Sequence, residues 1–236
     1  MTDGATSTPR KRGLSPRELT AAFVAHGLIL RGGFHPEAGD AELAGIGTVF
    51  LVGNAGPAMW EAFAPHIDGG KDPLDRWTKR VIDPIDERFG ARVLYPFNAE
   101  VPPFQRWALR AEAVHASPLG ILIHPEYGLW HAYRAALLFT ERLDLPERST
   151  APSPCESCAE KPCLSACPVG AFSGSAYDVA ACADHVAKPQ ANCTSIGCHA
   201  RNACPIGQVW RYAEPQTRFH MSAFARSVGR NRIAPD

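Results

Sequence analysis

Eight cysteines fall between Cys155 and Cys204, a span of 50 residues, and none lies elsewhere in the chain of 236. They run Cys155-x2-Cys158-x4-Cys163-x3-Cys167-Pro168, then Cys182, then Cys193-x4-Cys198-x5-Cys204-Pro205. Eight thiolates with two Cys-Pro ends match the needs of two four-cysteine [4Fe–4S] clusters, and soft thiolate sulfur suits iron. In such two-cluster modules the cysteine before the proline ligates the other cluster. That crossing rule assigns Cys155, Cys158, Cys163 and Cys204 to one cluster, and Cys167, Cys182, Cys193 and Cys198 to the other. Every cysteine is used once, and electron transfer is the implied chemistry.

Other uses of eight cysteines fit less well. A disulfide scaffold belongs to a short secreted chain, whereas Met1 to Arg12 is polar and lacks the apolar core of a signal peptide. Structural zinc is the closer rival, because Cys-x2-Cys is half of a zinc knuckle. Zinc sites commonly repeat that short pair; here it occurs once and the later spacings widen. Free thiols at this density imply a reducing, cytoplasmic setting.

Lys plus Arg and Asp plus Glu number 24 each, so net charge gives no case for nucleic acid or a membrane surface as partner. No apolar run reaches the roughly 18 residues of a spanning helix. Hydrophobic content of 45% and charged content of 20% describe an ordinary globular chain, long enough for one sizeable core and a small module.

Residues 1–12 read as disordered. Ser15-Pro16-Arg17-Glu18 is a capping box with proline in the first turn, opening a helix with Leu19 and Phe23 on its apolar face. Thr48–Val52 reads as a buried strand ended by Gly53-Asn54-Ala55-Gly56, a turn rather than a phosphate cradle. A helix is expected from Pro57 to Phe63. Asp72-Pro73-Leu74-Asp75 and Asp83-Pro84-Ile85-Asp86 repeat a phrase at helical spacing. Leu74, Trp77, Val81, Ile85 and Phe89 form the stripe, Pro84 kinks or restarts the helix, and the acidic pairs cap it or face solvent. Arg92–Tyr95 is a strand, 96–103 a loop and Phe104–His115 a helix. Gly120–Ile123 and His131–Phe139 form two strands joined by His124–Gly128. The Pro- and charge-rich segment 140–154 divides a domain at 13–145 from a cysteine module at 150–208. A tail at 209–236 packs back through Trp210, Phe219, His220 and Phe224. Helices interleaved with strands make the first domain α+β or α/β.

Several phrases resemble known families. The run from Cys155 through Ala171 looks like polyferredoxin electron-transfer subunits. Ile123-His124-Pro125-Glu126-Tyr127-Gly128-Leu129-Trp130-His131-Ala132-Tyr133-Arg134, with Pro57–Trp60 and Ile82–Asp86, resembles the animal cobalamin-processing family. The order of parts from His115 into the eight cysteines is similar to epoxyqueuosine reductase and the reductive dehalogenases. The resemblance implies an α+β, nitroreductase-like first domain seating a base-off cobalamin, with a ferredoxin-like module of two [4Fe–4S] clusters feeding it electrons. The residues it points to are His115, His124, Tyr127, Trp130 and Arg134. Glu126 stands where the cobalamin-processing family has its thiol-binding arginine, which argues against thiol-dependent dealkylation. No counterpart of the reductase's catalytic aspartate region or of its tRNA-binding helical repeats is legible, so queuosine chemistry is not expected.

Each of these residues has a plainer reading. His115 fits a hydrogen-bonded interior histidine, His124 a turn, and Tyr127 and Trp130 a core. Arg134, in an apolar strand, needs an anion, either a ligand or Glu126. His185 and His199 flank the cysteines and are placed to tune a cluster. The preferred reading is an iron–sulfur oxidoreductase acting on or through cobalamin, supplied by a reductase or ferredoxin and paired as a homodimer. Its rivals are a ferredoxin-type carrier and a flavin-binding reductase. A cavity walled by the five residues separates the first from the second.

Overall fold

The computed structural model describes residues 15–231; the expected disorder of 1–12 lies outside them, as do the side chains of Ile85, Asp86 and 229–231. In chain order the first part comprises α1 (Pro16–Val24), β1 (Ile29–Phe34), β2 (Thr48–Ala55), α2 (Ala58–Phe63), α3 (Pro73–Phe89), β3 (Arg92–Leu94), α4 (Phe104–Ala111), β4 (His115–Ala116), β5 (Leu122–Ile123) and β6 (His131–Phe139). The cysteine region follows as α5 (Pro154–Ser157), α6 (Pro162–Ser165), α7 (Val179–Val186), α8 (Cys193–Ile196) and α9 (His199–Asn202), and α10 (Glu214–Asn231) closes the chain.

The main sheet has the order β1-β2-β6-β3, with every neighbouring pair antiparallel. All eight residues of β2 are buried because both faces of the sheet are covered. Phe50, Val52, Ala135, Leu137 and Phe139 face α1, α2 and α3 through Leu19, Phe23, Met59, Phe63 and Trp77. Val49, Leu51, Ala136 and Leu138 face α4 through Trp107, Ala108 and Ala111. The period-two alternation of strand side chains thus feeds two cores from one apolar run.

Ser15 caps α1: its hydroxyl accepts from the Glu18 amide at 3.3 Å, while the Glu18 carboxylate accepts from the Ser15 amide at 3.0 Å. Helix α3 continues through Pro84 instead of restarting there, and buries Leu74, Trp77 and Ile82. Asp75 does more than cap or meet solvent, since it pairs with Arg134 at 2.8 Å.

Three expectations are corrected. β2 runs through Gly53, Asn54 and Ala55, which pair with β6 up to His131, so the turn begins only at Gly56. Helix α4 stops at Ala111, where Glu112 adopts extended backbone, and His115 lies in a strand. β5 and β6 are not partners: β5 pairs with β4 in a separate two-stranded sheet. The tail packs back as expected: it contains an 18-residue helix whose Phe219 lies on Trp60 and Phe63 at ring distances of 5.4 Å. No helix among the described residues is long and apolar enough to cross a membrane.

Candidate redox site

Short proline-initiated helices aim the thiols inward. Pro154 and Pro162 begin α5 and α6, putting Cys155 and Cys163 in first turns, and Cys158 ends α5. Cys193 begins α8, and Cys198 is the residue before α9. All eight cysteines are free. Six of them (Cys155, Cys163, Cys167, Cys182, Cys198 and Cys204) pack with Leu119, Ile123, Leu129, Phe172 and Ala200 into a third core, so sulfur takes the place that larger apolar side chains fill elsewhere.

The thiols gather in two sets. Burial pushes the Cys155 thiol up, and its neighbours Cys204, Cys163 and Cys158 push it further. Burial likewise raises Cys163, aided by Cys204 and Cys158, and raises Cys204, aided by Cys158. In the other set burial raises Cys193, reinforced by Cys198, Cys182 and Cys167. Cys198 is raised the same way by burial and then by Cys182 and Cys167. The thiols acting on each of these cysteines belong to its own set. Among the described residues no group of three His, Cys, Asp or Glu side chains converges tightly enough to hold a single metal ion.

Polar hydrogens already point at sulfur. The Ala171 amide donates to Cys167 Sγ at 3.4 Å. Backbone amides of Arg201 and Ala200 hold Cys198 down against burial, and the Ile206 amide does so for Cys204. The Tyr177 hydroxyl is hydrogen-bonded to Cys182.

The cysteine region meets the sheet domain at two close crossings. Gly128 has φ +57°, and a Cβ there would sit 2.1 Å from the Ile206 carbonyl oxygen. Gly207 has φ +68°, and its Cβ would sit 2.4 Å from the Tyr127 carbonyl carbon. Only glycine allows both the left-handed backbone and this approach. Arg201 of α9 donates from Nε to the Leu129 carbonyl at 3.1 Å and lies over the Trp130 and Tyr212 rings, 4.4 and 4.7 Å from their centroids. Cys204 is thereby tied to the turn that holds His124 and Tyr127.

Behind that turn lies a buried ionic network that the motif reading missed. Arg31 is 2% exposed and pairs with Glu112 at 2.8 Å. It also donates to the Asn54 carbonyl at 3.1 Å and faces His131 Nδ1 at 3.3 Å. His131 Nε2 donates to the Leu122 carbonyl at 3.1 Å, which fixes the neutral tautomer and leaves Nδ1 to accept from Arg31. The Tyr133 hydroxyl donates to Glu112. Burial raises the Glu112 carboxyl despite the opposing pull of Arg31 and Tyr133. His124 Nδ1 accepts from the Glu126 and Tyr127 amides at 3.0 and 3.2 Å, and burial beside Arg31 lowers the ring to about 4. A sequence signal existed: Arg31 interrupts an apolar strand and Glu112 sits between alanines, so each needed a partner.

The five residues expected to wall one cofactor cavity do not converge. Arg134 lines a cavity of about 340 Å³ at the junction, together with Asn54, His131, Arg201, Tyr212 and His220. His124 and Tyr127 line a different cavity of about 330 Å³, with Arg31, Glu112 and Arg17. His115 lines neither; its Nε2 donates to the Ala151 carbonyl at 3.0 Å and anchors the linker. Trp130 is buried beneath Arg201. Arg134 takes Asp75 as its anion, with Thr78 Oγ1 at 3.0 Å, and needs neither a ligand nor Glu126. These residues do not fit a corrinoid, whose flat macrocycle needs them on one wall.

No protein-family model and no curated protein matches the chain. Solved structures do. The likeness is to epoxyqueuosine reductase. A crystal structure of that enzyme with an epoxyqueuosine-modified tRNA-Tyr stem loop overlays with a TM-score of 0.50 at 16% identity, over 84% of this chain and 68% of that one. The enzyme from Streptococcus thermophilus overlays at 0.48 with 14% identity, over 82% and 65% of the two chains. A selenomethionine-labelled form gives 0.47 with 17% identity, over 75% and 53%. At such identity the first overlay speaks for fold alone, and the other two are too loose to argue from. The resemblance to the cobalamin-processing family gains no support.

Proposed function

We propose that the chain is an iron–sulfur redox enzyme holding two [4Fe–4S] clusters, one on Cys155, Cys158, Cys163 and Cys204, the other on Cys167, Cys182, Cys193 and Cys198. The observation that carries this is the division of eight free thiols into two sets of four. Bound there, the clusters would supply one-electron transfer. The chain's own part is to hold eight sulfurs and direct backbone N–H groups at them. It also excludes water with Leu119, Ile123, Leu129 and Phe172. Metal uptake releases the thiol protons that burial and mutual repulsion retain.

The likeness to epoxyqueuosine reductase supports a nitroreductase-like first domain, with the module at 150–208 and helix α10 folded onto it. The acceptor site that the geometry favours is the cavity of about 340 Å³ shared by Asn54, His131 and Arg134 of the sheet domain, Arg201 of the module, and Tyr212 and His220. It touches both parts and falls in the size range of small-molecule sites. A reductase or ferredoxin would be the donor. The expected wall of a corrinoid is divided between two cavities and does not fit one.

Anaerobic reconstitution tests the proposal. About eight irons and eight sulfides per chain, with a reducible [4Fe–4S] electron paramagnetic resonance signal, are expected. Four irons or stoichiometric zinc would overturn it. Adding hydroxocobalamin tests the corrinoid separately: a base-off spectrum, reducible through the clusters, would install the corrinoid, and an unchanged free spectrum would remove it.

A further inference from the structure

The second set of cysteines is carried by helices onto which the C-terminal helix folds. α7 bears Cys182 and α8 bears Cys193, and α10 packs chiefly on these two. Two side chains of these helices leave buried polar atoms without partners: His185 at Nε2, and Gln216 at both amide atoms. His185 follows Cys182 by three residues on α7, so ring and thiol project from one helical face. Gln216 is 0% exposed, the fully buried side chain on the described part of α10. His199, the other histidine flanking the cysteines, is exposed along its bond and already engaged, with Nε2 at 2.6 Å from Asn192 Oδ1.

Buried N–H groups are almost always paired, and unpaired ones on two helices packed together point to an acceptor that protein atoms do not provide. Cluster sulfur is such an acceptor, since its sulfides and thiolates take several donors at once. We propose that His185 Nε2–H and the Gln216 amide N–H donate hydrogen bonds to sulfur of the cluster on Cys167, Cys182, Cys193 and Cys198, and so raise its reduction potential. Reduction adds negative charge to the sulfurs, and a donor aimed at them is worth more in the reduced state. This rests on the two-cluster reading above.

The test is an anaerobic redox titration of the full cluster-loaded chain followed by electron paramagnetic resonance, with iron and sulfide counted in every sample. His185→Phe and Gln216→Leu are each expected to lower the midpoint of one signal and leave the other in place. The expected size for His185→Phe is a tenfold shift in the reduced-to-oxidised ratio, about 59 mV for one electron. His185→Gln, which returns an N–H donor, is expected to recover part of that shift. Histidine labelled with ¹⁵N is expected to couple to the reduced cluster in the wild-type chain and to lose that coupling in His185→Phe. Unmoved midpoints with about eight irons present, or equal shifts in both signals, would overturn the proposal. If His185→Phe loses its cluster, the nitrogen coupling of the wild-type chain decides alone. Fewer than about eight irons in the wild type would instead defeat the two-cluster reading itself.

Discussion

The Arg31–Glu112 pair concentrates the residue-scale energetics, because a buried charge is tolerable only while its partner remains. Glu112→Ala leaves the guanidinium 1% exposed and unpaired, and strands Tyr133 as well. The expected loss is about 3–5 kcal/mol in urea unfolding, against a much smaller loss for the double change Arg31→Met with Glu112→Leu. His220 adds a pH dependence. Burial beside Arg201 and Arg134 lowers it to about 4, whereas the unfolded ring titrates near 6.5. Between those values the unfolded chain binds more protons, so stability falls as pH drops from about 7 to about 4 and levels below that. The whole effect of this ring is on the order of 3 kcal/mol. Comparing urea midpoints at pH 7 and pH 5, His220→Phe is expected to flatten the slope. Arg134 was legible as a charge needing an anion, but Asp75 as that anion was not. Residues 59 positions apart meet only once α3 lies against β6.

Elements were legible wherever the signal was local. The Ser15–Glu18 capping box and the apolar run of β2 depend on neighbours a few residues away, and both form. Strand partners were not legible. β5 and β6 looked like a pair because they are consecutive, yet the turn at His124–Gly128 carries the chain from the small sheet into the main one. That turn is clasped by the backbone after Cys204, and the clasp is testable. Gly128→Ala adds a methyl 2.1 Å from the Ile206 carbonyl oxygen at a φ of +57°. It is expected to cost roughly 2 kcal/mol or more and to speed proteolysis within 140–154, by loosening the Cys204 segment. Gly120→Ala serves as the control: its φ is +72° but the space beside it is open, so only the backbone cost of roughly 1 kcal/mol is expected.

At the scale of the molecule, two cores sandwich a sheet and a third is built around sulfur. Cys155→Ser and Cys182→Ser are each expected to halve the iron content, removing different signals. Stripping iron with a chelator is expected to release hydrogen-exchange protection in 155–204 while the β2–β6 ladder stays protected. Loss of protection in both together would mean that the sheet domain depends on the clusters. The sequence by itself determined the cysteine spacing on which the cluster proposal rests, because spacing within one-turn helices is a local property. It also placed α1, α2, α3, β3 and β6, because periodicity and caps act over a few residues, but not β1, β4 or α10. The tertiary structure alone decided which side chains share a cavity. His115, His124, Tyr127, Trp130 and Arg134 crowd into 20 residues of sequence. Strand alternation, a tight turn and the packing of α9 send them to separate places. Arg31 and Glu112, 81 positions apart, meet because the end of α4 packs against β1.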